Sequence, residues 1–312
     1  MEPTGAPGRR SGGAPLLLAA CLLGGCASTE PAWSPGELDS RRQQQCRTVE
    51  RAYREELPEY PALRDELAKD PVAISWYVRM LIRDLLTVRE GRPLGSDEDL
   101  LRAAAKIEHI VEIRALAEID AIGVAAVPTI VGDLLRHSQP LLRELGFELI
   151  GRIGAPALPA LRDLARDEEV RHRRAAARAA AAIGITPEVL ALLRQLANDP
   201  EFTVRADALR GLRLGGGDEA RTLLCARMRD DGDPFVRRQA ARSLVGHPAA
   251  ASALALVDYL ARCKLEKDAP GEEAAQDALM ALAGAKGPRT EAAWRQWASA
   301  WQPAIEQRPA AK

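Results

Sequence analysis

Residues 192–215 read LLRQLANDPEFTVRADALRGLRLG, and residues 224–246 read LCARMRDDGDPFVRRQAARSLVG. The second stretch repeats the plan of the first. An apolar segment runs into an Asp-Pro corner, a Val-Arg pair follows (Val204-Arg205, then Val236-Arg237), and a glycine closes the unit. Reading outward, the arginine recurs at Arg143 and Arg173, and the glycine at Gly123, Gly154 and Gly184 as well as Gly215 and Gly246. A fixed step between twenty and fifty residues marks supersecondary units stacked in a row, each too small to close a core of its own.

Each unit divides into two helical segments. The first carries a proline where a helix begins, Pro128 and Pro159, a position at which the missing N–H costs nothing. It continues through Ile130 and Leu134, Leu161 and Leu164, or Leu192 and Leu196. It stops at polar corners: His137-Ser138, Asp167, Asn198-Asp199-Pro200, and Asp230 to Pro234. These are turn and N-cap residues. The second helix opens with the periodic arginine. Three residues on stands Gly146, Ala176, Ala208 or Ala240, and seven on stands Ile150, Ala180, Leu212 or Leu244. Offsets of three and seven share one helical face, which is therefore the buried stripe. The closing glycines read as left-handed C-caps. Composition agrees, because 47% apolar with only 4% aromatic residues means a core of Ala and Leu, suited to closely packed helices.

The combination of proline, corner aspartate, Val-Arg, Ala-Ala and closing glycine resembles the short HEAT-like repeats also found in phycobilisome lyases. His172-Arg173 and Leu142-Arg143 are variants of the Val-Arg pair. The resemblance implies an all-α fold, a solenoid of HEAT-like helical hairpins whose second helices line one side. Clear repeats are expected over 123–246, and degenerate helical repeats over 58–122 around Trp76-Tyr77-Val78-Arg79 and Ile113-Arg114. A polar helix is expected at 36–55. Over 247–312 two helices, about 249–263 and 272–283, are expected on either side of a charged loop, followed by a cap bearing Trp294, Trp297 and Trp301 on one face.

The N-terminus reads differently. Arg9 and Arg10 precede an apolar run from Ala14 to Leu23, too short to span a bilayer but suited to a signal peptide over 1–25. Leu23-Gly24-Gly25-Cys26 resembles the lipobox of bacterial lipoproteins, which implies cleavage before Cys26 and its acylation. Ala27 after that cysteine implies the outer membrane, with the protein facing the periplasm. Residues 26–57 then hold the anchor, the tether ASTEPAWSPGE and the leading helix. No later stretch reads as a membrane crossing.

Chemistry is sparse. The chain has no G-x-S-x-G, P-loop, H-E-x-x-H or C-x-x-C motif, so no enzyme, metal or cofactor is expected. Cys46, Cys225 and Cys263 are too widely spaced for a disulfide framework, and Cys225 and Cys263 read as core residues. His137 and His172 lack a carboxylate in metal-ligand spacing and read as solvated or capping groups. Gly215-Gly216-Gly217 falls at a helix end, with Asp218 as the expected N-cap. With a formal net charge of −1, nothing points to a polyanion partner through overall charge. One local pattern does. Arg174, Arg178, Arg210, Arg238 and Arg242 sit one or five residues after the periodic arginine, so they share a helical face and would align as a basic ridge. The structural residues are Arg143, Arg173, Arg205, Arg237 and the five glycines. The expected function is a lipid-anchored envelope scaffold that binds a protein or an anionic polymer through this ridge, without nucleic acid. A tetrapyrrole-lyase relative is the alternative.

Overall fold

The computed structural model describes residues 38–89, 98–284, 287–288 and 290–301, with residues 89 and 98–108 described as helix backbone alone. The expected signal, Cys26 and tether lie outside the described residues. All regular structure among the described residues is helical. Four helices come first: α1 (Ser40–Arg54), α2 (Tyr60–Leu67), α3 (Pro71–Arg89) and α4 (Glu98–Ile122). The first clear unit runs through a 3-10 turn (Gly123–Ala126), α5 (Val127–Thr129) and a π-helical segment (Ile130–Leu135) into α6 (Pro140–Ile153). Then come α7 (Leu158–Leu164) with α8 (Val170–Ile183), α9 (Pro187–Leu196) with α10 (Phe202–Leu212), and α11 (Gly217–Asp230) with α12 (Pro234–Ser243). Finally α13 (Ala250–Glu266), α14 (Ala269–Ala283) and α15 (Glu291–Ser299) follow.

The second helices pack in file, α6 on α8, α8 on α10, α10 on α12 and α12 on α14. This is what solenoid packing requires: each helix pair is buried between its neighbours. Small side chains set the spacing. A Cβ on Gly151 of α6 would lie 2.7 Å from the Ala182 carbonyl oxygen of α8, and one on Gly211 of α10 would lie 2.9 Å from Ala181 Cβ. Ala176, Ala180, Ala208 and Ala240 have no exposure. Beside this file runs a second one of first helices, filled by Leu158, Leu161, Leu164, Leu192, Leu193, Leu196, Leu224 and Met228.

Several details differ from expectation. Gly123, Gly154 and Gly184 do take positive φ, between 59° and 94°. Gly215 is nearly extended, and its neighbour Gly216 supplies the left-handed residue before α11. Gly216 also replaces Asp218 as the N-cap; Asp218 lies in the first turn and accepts from Arg221. Gly246 is kept for another reason. Its Cβ would fall 1.8 Å from the Arg213 carbonyl oxygen, so the backbones of successive units touch there.

The expected charged loop at 264–272 is mostly helix. α13 continues to Glu266, Lys267 reverses the chain at φ 58°, and the Asp268 carboxylate accepts from Gly271 N–H to start α14. α13 and α14 thus form a fifth hairpin, packed on α11 and α12 as each earlier hairpin packs on its predecessor. α15 lies across α13, with Trp294 buried and Trp297 stacked edge-on to it at 5.3 Å between ring centres.

One helical stretch, His109–Leu135, is long and apolar enough to cross a membrane by length and composition, contrary to the reading above. In the fold Ala115, Ile119, Ala126, Ile130 and Leu135 from this stretch are buried in the core. Its charged residues point into contacts with other helices: Arg114 with α1, Glu118 with α2 and Asp120 with α6.

Candidate functional site: corners and second-helix face

The corners are built around the periodic arginine. In three successive units its Nη1 donates to two carbonyls of its own corner: Arg173 to Asp167 and Glu168, Arg205 to Asp199 and Pro200, Arg237 to Asp231 and Gly232. Arg143 does the same with His137 and Ser138, at 2.8 and 2.6 Å. Two of these arginines also reach forward. Arg173 forks onto Asp199 (Nε at 2.7 Å, Nη2 at 3.0 Å), and Arg205 forks onto Asp231 (2.9 and 2.8 Å). Each of those aspartates meanwhile accepts the N–H two residues on, from Glu201 or Asp233. One guanidinium therefore ties its own turn shut and holds the next turn. A planar five-donor group can do both at once; an ammonium cannot.

The electrostatics follow the geometry. Burial alone would raise the Asp231 carboxyl, but the Arg205 fork, the Asp233 N–H and the charges of Arg205 and Arg227 outweigh it and hold the group below the usual carboxylate range. Arg205 and Arg173 are pushed up by their bonds to Asp231 and Asp199.

The ladder changes form at its ends. Asp167 is held by Arg136 at 2.6 Å and by His172 Nδ1 at 3.0 Å, with its own turn closed by Glu169 N–H. Against the opposing effect of burial, these bonds bring its carboxyl down to about 2. At the other end Arg237 meets Glu266 through Nη2, at 3.5 Å, and its buried Nε has no partner among the described residues. His137 takes the place of a corner aspartate, its Nδ1 accepting from Gln139 N–H at 3.1 Å. Among the described residues no cluster of His, Cys, Asp and Glu could hold a metal, and Cys46, Cys225 and Cys263 are free thiols.

The expected ridge residues do share the second-helix face, but they arrive already matched. Arg174 Nε donates to Asp207 at 2.7 Å, and Arg210 lies 3.5 Å from the same carboxylate, which is almost fully buried. Arg178 reaches back one unit to Glu144 at 2.5 Å and sits over the Phe147 ring at 4.5 Å. Arg238 lies 3.6 Å from Asp268. Arg242 is exposed, and among the described residues it makes no salt bridge. The face is thus one of alternating charge. The sequence places Glu144 on the same face as the arginines, but does not show which carboxylate each arginine meets.

A second polar network went unread. Tyr60 Oη bonds to Tyr77 Oη at 2.7 Å and also donates to Glu118, which Arg64 approaches at 3.4 Å. Arg114 lies over the Tyr53 ring at 4.7 Å and donates to the Tyr53 carbonyl. Burial raises the Tyr53 hydroxyl to about 12, so it stays protonated. This network locks α1, α2, α3 and α4 into one block ahead of the regular stack.

A search of curated proteins returns no match. The family model for HEAT repeats does match, over residues 127–213 and again over 159–246. These spans coincide with the units that carry the arginine ladder, and residues 127–246 are HEAT repeats.

Proposed function

We propose that this protein is a non-catalytic scaffold, carried to the bacterial cell envelope by a lipid on Cys26, where the helical stack holds another protein. The observation that carries the reading is the stack itself. Five hairpins present repeated positions along one line, while the Arg173 and Arg205 guanidinium groups hold neighbouring units together. Such an object offers extended surface, and among the described residues no group of His, Cys, Asp and Glu could hold a metal. HEAT-repeat proteins are typically protein-interaction scaffolds, which favours a protein partner. An anionic polymer is a weaker candidate, because Arg174, Arg178, Arg210 and Arg238 are each countered by a carboxylate. Two or more acyl chains would anchor the protein firmly, whereas one binds marginally.

In-cell crosslinking, affinity capture and mass spectrometry with the native chain and with Cys26→Ser test both halves. The native chain should fractionate with outer membrane and capture a defined envelope protein, and Cys26→Ser should leave the membrane fraction and lose that capture. A native chain that stays soluble, or that captures nothing reproducibly, contradicts the reading.

A further inference from the structure

Four apolar side chains stand exposed in the first turn of the second helix in four consecutive units. Leu141, Val170, Phe202 and Phe235 are each the first or second residue of a second helix, and they are 51%, 37%, 39% and 38% exposed. Single exposed apolar residues are ordinary on any protein surface. The recurrence of these four in the first turn of four successive second helices, two or three residues before the periodic arginine, is not scatter. The chain has only three phenylalanines, and two of them stand here; the third, Phe147, is buried. Phe202 and Phe235 meet edge-to-face with ring centres 6.0 Å apart, so the row is continuous across the third and fourth units. The first turn of a helix favours acidic residues, through the macrodipole and the unpaired N–H groups. Helix formation therefore does not account for aromatic residues at this position.

The rim of the row has a sign. Four arginines of these corners are paired with carboxylates, Arg136 with Asp167, Arg166 with Asp163, Arg171 with Glu169 and Arg229 with Asp230, while Arg143, beside Leu141, donates to the His137 and Ser138 carbonyls. The guanidinium groups of Arg173 and Arg205 are spent on corner carbonyls and on Asp199 and Asp231. Glu168, Glu201 and Asp233 lie one or two residues before Val170, Phe202 and Phe235 in sequence; Glu201 and Asp233 also cap their helices, accepting from Thr203 and Phe235 N–H, and among the described residues none of the three forms a salt bridge. An apolar centre with carboxylates at its edge is complementary to apolar anchors flanked by cations.

Resting on the scaffold reading, we propose that this corner edge is the docking surface, and that its occupant is a basic segment of a partner protein with apolar side chains spaced between its lysines or arginines. Packed helices lie about 8–10 Å apart. An extended polyproline-like segment rises about 3.1 Å per residue with three residues per turn, so every third side chain returns to one side after about 9 Å. An apolar residue at every third position thus meets one unit after another.

The test uses the full chain and fluorescent peptides read by anisotropy: one with leucine at every third position between lysines, one with glutamates replacing those lysines, and one of lysines with serine replacing leucine. The leucine–lysine peptide should bind and the other two should not. Phe202→Ser with Phe235→Ser should weaken binding at least tenfold with unchanged circular dichroism. Glu168→Lys with Glu201→Gln, which keeps both rings and the Glu201 cap oxygen in place, should weaken it several-fold. Equal binding of the lysine–serine peptide, or affinity unmoved by both double variants, overturns the proposal. So does sedimentation showing a dimer of the native chain that Phe202→Ser with Phe235→Ser dissociates, because the occupant is then a second copy. The scaffold reading fails separately: it falls if the native chain captures no partner in cells. It survives, and only the corner edge falls, if Phe202→Ser with Phe235→Ser captures the same partner as well as the native chain does.

Discussion

Arg205 shows how one side chain carries the repeat. It closes the turn at Asp199 and Pro200 and grips Asp231 of the next turn with two parallel bonds. Asp231 is nearly fully buried, so removing its charge leaves Arg205 facing a neutral group in a dry corner. Breaking a buried pair from one side typically costs about 3–5 kcal/mol. Asp231→Asn keeps the shape and some hydrogen bonding, so a loss of about 2–4 kcal/mol is expected in urea unfolding. A loss under about 0.5 kcal/mol, the range of an ordinary surface change, would mean the ladder contributes nothing. The pH dependence has a definite sign. Asp167 and Asp231 bind protons less readily when folded than when unfolded, so their contribution is complete above the unfolded carboxylate pKa of about 4. For Asp167 it disappears as pH falls from about 4 towards about 2. Acid titration of the melting temperature should show native stability falling through that window, and less steeply in Asp167→Asn. The paired ridge gives an opposite kind of prediction. Arg210→Glu with Arg242→Glu should change partner capture by less than about threefold, since Arg174 still holds Asp207 and the face was never strongly basic.

The hairpin is the next level, and here part of the fold was readable and part was not. Arg143, Arg173, Arg205 and Arg237 with their following small residues specify α6, α8, α10 and α12, because backbone approach and turn closure both need particular residue types at fixed offsets. The two helices of the fifth hairpin were readable, but not their tight turn or their place in the stack, because α13 is a longer helix and ends in a left-handed Lys267, with no Asp-Pro corner to announce it. The partners of the ridge escaped for a different reason. Arg174 and Asp207 are 33 residues apart and Arg178 and Glu144 are 34 apart, so no local pattern links them. Likewise Tyr60 and Glu118 are 58 residues apart and meet only because α4 packs back along α3. The closing glycine was read correctly as a signal and too simply as a mechanism. At Gly246 the constraint is contact with Arg213, so Gly246→Ala should force the fourth and third units apart and cost about 1–3 kcal/mol or more, as overpacking does. Gly232→Ala, whose Cβ meets nothing, is the control and should be close to neutral in the same melt.

Taken together, the helices make a row in which each hairpin depends on the next, bounded by a tyrosine-tied block before it and by α15 with its tryptophans after it. In such a row stability is roughly a sum of unit terms and nearest-neighbour terms, so damage should spread locally. A globule with one shared centre would lose protection everywhere together. Native-state hydrogen exchange, comparing the native chain with Asp231→Asn, separates the two most directly. Protection should fall most in α10 to α13 and progressively less towards α1 to α4. An equal loss of protection in every helix would contradict the account.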